Sequence, residues 1–213
     1  MTPSQASEET RKICDLAPVI PVLVIDRADT AADLARALVA GGLPALEVTL
    51  RTPAALEAIH EMARVEGGVV GAGTLLTPQD VHAAVEAGAL FGVSPGATDR
   101  LLDAAEEAGL PMLPGAATAS EAMRLLERGY TVQKFFPAEA SGGAKALAAI
   151  GAPIPQVSFC PTGGVSLGNA RDYLSLRNVL CVGGSWVAPT EAVAEGDWDR
   201  VEALAREAAG LGR

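Results

Sequence analysis

Lys134 is one of three lysines in a chain that also carries thirteen arginines, and it lies in an apolar, strand-forming run at 131–137. An unpaired ammonium is costly to bury, so a lysine in such a run is usually paired with an acid or has a lowered pKa that frees the neutral amine. The more common alternative is an edge lysine whose ammonium reaches water. If Lys134 is buried, its position favours a nucleophile that forms a Schiff base with a carbonyl compound.

Glu47 and Arg51 lie in a second strand-forming run, 46–51, where side chains alternate between two faces. One face is apolar and suits contact with helices, and the other carries Glu47, Thr49 and Arg51. Two opposite charges on one face could form a structural ion pair. Beside a buried amine, Glu47 could instead relay protons during imine chemistry, and Arg51 could bind a substrate carboxylate bidentately. We expect Lys134 to face Glu47 across the interior of the fold.

Thr74 ends the third predicted strand in a glycine-rich segment, 71–74, and the segment 94–96, which contains Pro95, ends the fourth. Glycine leaves space for a ligand, and the Thr74 hydroxyl could bind the same carboxylate as Arg51. It could equally be a turn or capping hydroxyl. The segment around Pro95 is a weaker signal, and we expect both segments to contribute to binding rather than to reaction.

Two further glycine-rich turns, 161–165 and 183–186, follow the seventh and eighth predicted strands. Barrels often bind phosphate at these strand ends through backbone N–H groups, because glycine lets the anion approach closely. A single Gly-Gly pair is ordinary turn material. Two such pairs at these positions predict a phosphate site.

Strand-forming apolar runs alternate with helix-forming segments, and glycine or proline marks the joints. The predicted strands lie at about 19–25, 46–50, 69–74, 90–95, 111–116, 131–137, 156–162 and 178–184. The predicted helices lie near 30–41, 54–65, 78–87, 98–108, 119–128, 143–150, 168–176 and 197–209, after an extra amphipathic helix at about 5–16. Eight units without a linker predict one domain over residues 1–213, an α/β TIM barrel of the (β/α)₈ type from residue 18. An open doubly wound sheet is the alternative, and the absence of GxGxxG after the first strand weakens its dinucleotide-binding form.

Capping residues support these helix boundaries. Hydroxyl residues precede helices and glycines follow them, namely Thr30, Thr77, Thr98, Ser120, Gly41, Gly88, Gly109 and Gly129.

The composition excludes several classes of partner. The net charge of −10, with no basic stripe, argues against nucleic acid, and an anionic ligand must be met by a local positive group. The N-terminus lacks the layout of a signal peptide, and no apolar run reaches the ~18 residues of a membrane span. We therefore expect no membrane partner and a cytoplasmic protein.

The three cysteines and two histidines do not form a metal-binding pattern. Cys14, Cys160 and Cys181 show no CxxC spacing and fit reduced thiols, two of them in the core. His60 and His82 lie in helix-like stretches without a second ligand pattern. We expect no metal site and a mechanism without metal.

Five segments in chain order resemble the 2-keto-3-deoxy-6-phosphogluconate (KDPG) aldolase family, whose members often also act as 4-hydroxy-2-oxoglutarate aldolases. The segments are EVTLRT at 47–52, GAGT at 71–74, KFFPAE at 134–139, CPTGG at 160–164 and GGSW at 183–186. The resemblance runs from about residue 18 to the C-terminus. It implies a class I aldolase, independent of metal and cofactor, that cleaves the phosphorylated keto acid to pyruvate and glyceraldehyde 3-phosphate in the Entner–Doudoroff pathway. It also implies a homotrimer, and cleavage of 4-hydroxy-2-oxoglutarate to pyruvate and glyoxylate.

The same resemblance assigns roles to residues of this chain. Lys134 would form the Schiff base and Glu47 would be the general acid and base, while Arg51 and Thr74 would hold the pyruvate carboxylate. The expected phosphate-binding residues are Thr162, Gly163, Gly164, Gly184 and Ser185, and the other pocket residues are Pro95 and Phe136.

Two places leave alternatives open. The segment 114–118 carries alanines where relatives have a bulkier apolar residue and then a hydroxyl residue, which leaves substrate selectivity open. Arg27, after the first strand, could reach the phosphate, but a solvated surface position is favoured.

The rival functions are an isomerase or synthase that uses the glycine turns without an imine, and a sugar-phosphate binder without activity.

Overall fold

The computed structural model describes residues 1–212, which form a barrel of parallel strands surrounded by helices. The strands are β1 (Val19–Leu23), β2 (Ala45–Thr49), β3 (Val69–Gly73), β4 (Phe91–Val93), β5 (Met112–Leu113), β6 (Gly115–Ala116), β7 (Val132–Phe135), β8 (Ser158–Pro161) and β9 (Val182–Gly184). The helices are α1 (Pro3–Cys14), α2 (Ala31–Ala40), α3 (Ala55–Met62), α4 (Pro78–Glu86), α5 (Asp99–Ala108), α6 (Ala119–Arg128), α7 (Gly143–Gly151), α8 (Ala170–Leu174), α9 (Thr190–Glu195) and α10 (Trp198–Ala209), with a short 3₁₀ helix at Ala28–Thr30.

The strands close into a barrel with eight strand positions. Parallel pairing follows the order β5-β4-β3-β2-β1-β9 in one set and β6-β7-β8 in the other. β5 and β6 are two halves of the fifth strand position, separated by Pro114, whose carbonyl accepts a hydrogen bond from the Lys134 N–H at 2.9 Å. Backbone bridges between β8 and the β9 side complete the ring at Phe159–Val179 and Thr162–Gly183. The predicted (β/α)₈ barrel is therefore confirmed.

Alternation along each strand separates two apolar regions. Leu46 and Val48 of β2 join the large core between the strands and the helices, whereas Ala45 belongs to a smaller cluster inside the barrel. That inner cluster comprises Cys14, Ile20, Ala45, Phe91, Val93, Leu113, Val132, Cys160 and Cys181. A residue two positions after an inward residue also points inward. Residue 47 after Ala45, and residue 134 after Val132, are therefore inside the barrel.

Helix α1 closes the end of the barrel at which the strands begin. The Ser7 hydroxyl accepts a hydrogen bond from the Thr131 N–H at 3.0 Å and donates to the Gly129 carbonyl at 3.4 Å, just before β7. Arg11 donates to the Ser158 hydroxyl, at the start of β8, at 2.9 Å. Cys14, the last residue of α1, lies in the cluster inside the barrel. The opposite end, where the strands finish, remains for ligand binding.

The structure differs from the sequence predictions at several element ends. The hydroxyl cap of α6 is Thr118, which is extended at φ −129°, and the predicted cap Ser120 lies inside the first turn. The last predicted strand also differs, since β9 begins at Val182 instead of about 178, and the structure adds a helix, α9, that was not predicted; the last predicted helix agrees with α10. None of the helices in residues 1–212 combines the length and apolar character needed to cross a bilayer.

Candidate active site

Lys134 and Glu47 meet in the barrel interior. They project from β7 and β2, which occupy opposite positions in the ring of strands. The Lys134 Nζ donates a hydrogen bond to Glu47 Oε1 at 3.2 Å. Lys134 is 5% exposed and Glu47 is 3% exposed, so the edge-lysine alternative does not apply.

Burial of both groups makes their contact chemically useful. Each partner offsets part of the cost of removing the other from water, and neither charge is left uncompensated in the interior. At 3.2 Å a carboxylate can exchange a proton with the amine directly. An amine beside a proton acceptor is the arrangement that imine formation with a ketone requires.

Gly73 makes room for Glu47. A Cβ at Gly73 would lie 2.3 Å from Glu47 Oε1 and 2.7 Å from its Cγ, closer than real contacts allow. The carboxylate therefore occupies the space that a side chain at position 73 would fill. The sequence suggested space for substrate in this segment, but it did not indicate that the space holds Glu47.

Phe136 connects the amine to the glycine turn after β8. Its ring centroid is 5.2 Å from the Lys134 Nζ, within the range of a cation–π contact. Two carbons of the same ring lie 3.2 Å from the place that a Gly163 Cβ would occupy. Gly163 has φ +99°, a left-handed conformation in which glycine is strongly favoured.

Arg51 and Thr74 meet at the mouth of the barrel. The Arg51 Nε donates to Thr74 Oγ1 at 3.3 Å, and Arg51 is exposed. Thr74 has φ +61°, the one non-glycine residue among residues 1–212 with a positive φ. Such a conformation costs about 1–3 kcal/mol and persists where the surroundings impose it, which is common at functional sites. The strain places the Thr74 hydroxyl beside the guanidinium, where the two can share one carboxylate.

The two glycine turns lie side by side at the same end of the barrel. Thr162 bridges to Gly183, and a Cβ at Gly183 would lie 2.3 Å from Thr162 Oγ1. Thr162 is 5% exposed, whereas Ser185 is exposed. Gly184 packs under the ring of Trp186. The structure therefore brings together the two turns that carry the predicted phosphate-binding residues.

Pro95 lies at the rim, next to the fifth strand position. A Cβ at Gly115 would lie 2.3 Å from the Pro95 carbonyl, so β6 and the end of β4 are in close contact. Pro95 is half-buried, and its role as a lining residue stays a prediction.

A family model describing the KDPG and KHG aldolases, where KHG is 4-hydroxy-2-oxoglutarate, matches residues 10–204. The chain belongs to the KDPG and KHG aldolase family. The resemblance drawn from the five segments is thereby confirmed. The KHG/KDPG aldolase of Escherichia coli strain K12 is 54% identical to this family member over 192 residues, 90% of this chain and 90% of that protein.

Solved structures of the aldolase family share this barrel. The KDPG aldolase of Zymomonas mobilis ZM4, with 3-phosphoglycerate, is 47% identical with a TM-score of 0.93, over 97% of this chain and 98% of that one. The KDPG aldolase of Legionella pneumophila is 45% identical with a TM-score of 0.91, over 94% of this chain and 98% of that one. That structure has pyruvate captured at low pH as a covalent carbinolamine intermediate.

Arg27 of this aldolase family member lies apart from the Lys134–Glu47 pair. It is exposed and forms a salt bridge with Asp29 at 2.5 Å, as the surface alternative expected. It lines a cavity of about 490 Å³ that also reaches Val24 and Ser185. In this structure its charge is taken up by Asp29 and not by the glycine turns.

Three buried thiols lie beneath the amine. Cys160 is the register partner of Lys134 on the neighbouring strand, and its Sγ is 3.5 Å from that of Cys181. Hydrogen bonding to Cys14 and Cys160, together with burial, raises the pKa of Cys181. The sequence predicted two cysteines in the core, and all three are buried.

Within residues 1–212, no three His, Cys, Asp or Glu residues are grouped so that they could hold a metal ion.

Proposed function

We propose that the protein is a class I aldolase that cleaves KDPG to pyruvate and D-glyceraldehyde 3-phosphate, and 4-hydroxy-2-oxoglutarate to pyruvate and glyoxylate. The observation that carries the proposal is the buried Lys134 amine, 3.2 Å from the Glu47 carboxylate at the centre of an aldolase-family barrel. The proposed mechanism needs no metal, because the protonated imine itself withdraws electrons from the bond to be cleaved.

The reaction would begin at the ketone carbon, C2. The neutral Lys134 amine adds to C2, and the resulting carbinolamine loses water to give the protonated Schiff base. Glu47 would transfer the protons that this addition and dehydration require. Support for the carbinolamine comes from the Legionella pneumophila relative, in which pyruvate was captured in that form.

Cleavage would break the bond between C3 and C4. Glu47 accepts the proton of the C4 hydroxyl, the C4 oxygen becomes the aldehyde, and the electrons of the C3–C4 bond move to the iminium nitrogen. The resulting enamine then takes a proton at C3 from Glu47. Water adds to the new iminium, which releases pyruvate and restores the amine. One carboxylate can serve as base and then acid because the steps are sequential.

The remaining residues would bind the two ends of the substrate. Arg51 and Thr74 would hold the C1 carboxylate, which places C2 next to Lys134. Thr162, Gly163, Gly164, Gly184 and Ser185 would receive the distal phosphate, and Pro95 and Phe136 would line the space between. Support comes from the contact of Phe136 with both Lys134 and Gly163, which joins the two ends of the site.

Trapping with pyruvate and borohydride tests the proposal directly. Reduction of the imine should leave a stable adduct, which peptide mass spectrometry should locate on Lys134. Lys134→Arg should fold, form no adduct and lose cleavage, because arginine keeps the charge but cannot supply a neutral amine. A wild-type protein without an adduct, or a Lys134→Arg variant with retained turnover, would reject the mechanism. A phosphate-binding isomerase or synthase would likewise give no adduct.

We also propose that the chain forms one domain, because its eight units follow one another without a linker, and that it is cytoplasmic. The family resemblance implies that it assembles as a homotrimer. Light scattering of the purified protein measures the assembly, and a monomer mass would contradict it.

A further inference from the structure

The loop that follows Lys134 is tied to the glycine turn after β8. Ala138 N–H donates to the Thr162 carbonyl at 2.8 Å, and Glu139 N–H donates to the Gly163 carbonyl at 3.0 Å. These bonds extend the pairing of β7 and β8 beyond the last residue of each strand. The position of the glycine turn therefore depends on the position of residues 138 and 139.

The Glu139 side chain lies directly against Gly164. A Cβ at Gly164 would be 2.7 Å from both Cβ and Cγ of Glu139, so no gap separates them. Gly164 also has φ +78°, a conformation that glycine adopts readily. A movement of the Glu139 side chain would be passed to the Gly164 backbone.

Tyr173, on helix α8, holds Glu139 in place. Its ring is fully buried, and its hydroxyl donates to Glu139 Oε1. Burial, and then the Glu139 carboxylate, raise the pKa of Tyr173, which keeps the hydroxyl protonated as a donor. The same carboxylate oxygen is 3.4 Å from the place that a Gly143 Cβ would occupy, beside the N-terminal turn of α7, where negative charge is favoured.

The N-cap residue of helix α8 binds the glycine turn directly. Asn169, four residues before Tyr173, donates from Nδ2 to the Gly164 carbonyl at 3.1 Å and accepts from the Ser166 N–H at 2.7 Å. The turn is thus held directly by Asn169 and indirectly by Tyr173 through Glu139.

We propose that Tyr173 is a positioning residue that acts through Glu139 to set the geometry of the glycine turn, and thereby the affinity for phosphorylated substrates. The proposal rests on the proposed function and deepens it. Lys134 is held independently, by its N–H bond to the Pro114 carbonyl and by Glu47. Loss of the Tyr173 hydroxyl should therefore weaken phosphate binding without disturbing imine chemistry.

Steady-state kinetics of Tyr173→Phe with KDPG and with 4-hydroxy-2-oxoglutarate separate an effect on phosphate binding from an effect on imine chemistry, since the second substrate has no phosphate. We expect the KM for KDPG to rise about tenfold, the equivalent of one hydrogen bond, with kcat unchanged. For the unphosphorylated substrate, kcat and KM should both stay within about twofold of the wild-type values, and so should the rate of pyruvate trapping.

The chain supplies a matched control in its only other tyrosine, Tyr130. Tyr130 is also fully buried and also donates to a carboxylate, Glu106 Oε1, at 3.1 Å. Tyr130→Phe should leave both KM values unchanged.

At position 139, Glu139→Ala should reproduce the effect of Tyr173→Phe, whereas Glu139→Gln, which keeps an oxygen that accepts the bond, should remain close to wild type.

Equal losses on the two substrates in Tyr173→Phe, an unchanged KM for KDPG, or the same KM ratio in Tyr130→Phe would overturn the inference. Calorimetric titration with D-glyceraldehyde 3-phosphate supplies a readout that does not need turnover, and its affinity should fall by the same factor in Tyr173→Phe. A wild-type protein that cleaves neither substrate would refute the proposed function, and this titration would still decide the role of Tyr173.

Discussion

At the residue scale, the site depends on one buried pair of opposite charge. Lys134 and Glu47 are held at 3.2 Å by strands from opposite positions in the barrel. A replacement that changes the charge of either residue removes the ion pair, but one that keeps the shape can retain the hydrogen bond between the two side chains. A substitution that keeps the shape of the side chain therefore tests the proton transfer proposed for the pair.

Glu47→Gln should slow cleavage by about 10²–10⁴-fold, the usual contribution of a positioned acid or base. Glutamine keeps the shape and can still accept a hydrogen bond from Lys134, but it cannot take or return a proton. Single-turnover measurements with KDPG would isolate this step. Activity within a few-fold of wild type would remove Glu47 from the role.

Gly73→Ala should lower kcat by about 10²-fold, because displacement of a reacting group by about 1 Å can cost that much. The added methyl would lie 2.3 Å from Glu47 Oε1, so the carboxylate must move. Gly210→Ala is the matched control, since the added methyl would make an ordinary contact with the Glu207 carbonyl at 3.5 Å, at the C-cap of helix α10 and outside the described site. Equal kcat values in the two variants would show that Glu47 tolerates the displacement.

At the element scale, helix ends fix the loops that enter and leave the site. Thr118 begins α6 immediately after the fifth strand position, and it forms a capping box with Glu121. Its hydroxyl accepts from the Glu121 N–H at 3.2 Å, while the Glu121 carboxylate accepts from the N–H groups of Ala117 and Thr118 at 2.8 and 2.9 Å. These hydrogen bonds to the carboxylate, and most of all the one from the Ala117 N–H, lower the pKa of the Glu121 carboxyl.

Thr118→Ala should lower the free energy of unfolding by about 1 kcal/mol, the typical value of an N-cap. Ser120→Ala should change it by less than about 0.5 kcal/mol, because Ser120 is an exposed residue within the first turn. Urea denaturation of the two variants measures the difference. A larger loss from Ser120→Ala would mean that the cap lies where the sequence alone had placed it.

The comparison of Thr118 with Ser120 shows where prediction from sequence succeeded and failed. Two-residue alternation correctly placed Glu47 and Lys134 inside, because it depends only on strand geometry. Which of two hydroxyl residues caps a helix depends on backbone angles, and those are set by the preceding strand. The contacts of Glu47 with Gly73, and of Tyr173 with Glu139, join residues 26 and 34 positions apart. No local pattern encodes such distances.

At the scale of the whole molecule, the barrel separates stability from chemistry. The described site lies where the strands end, as is usual for this architecture, and α1 covers the end where they begin. The buried thiols of Cys14, Cys160 and Cys181 fill the space between the two ends. Changes at the α1 end should therefore affect folding and leave the reaction intact.

Ser7→Ala tests this separation. Ser7 is 3% exposed, and its hydroxyl is the acceptor for the Thr131 N–H at 3.0 Å. Removal of the hydroxyl leaves that N–H without its acceptor, which should cost about 1–3 kcal/mol of unfolding free energy. Ser4→Ala, at an exposed position of the same helix, is the control and should cost little.

The two Ser7 measurements must be read together. Urea denaturation should show the loss of stability, while kcat/KM for KDPG, measured below the unfolding transition, should match wild type within about twofold. A decrease of kcat/KM in fully folded Ser7→Ala would show that the α1 end influences the reacting groups. Since Thr131 immediately precedes β7, the short strand that contains Lys134, such coupling would have to pass along β7, and Thr131 would then belong to the machinery that positions the amine.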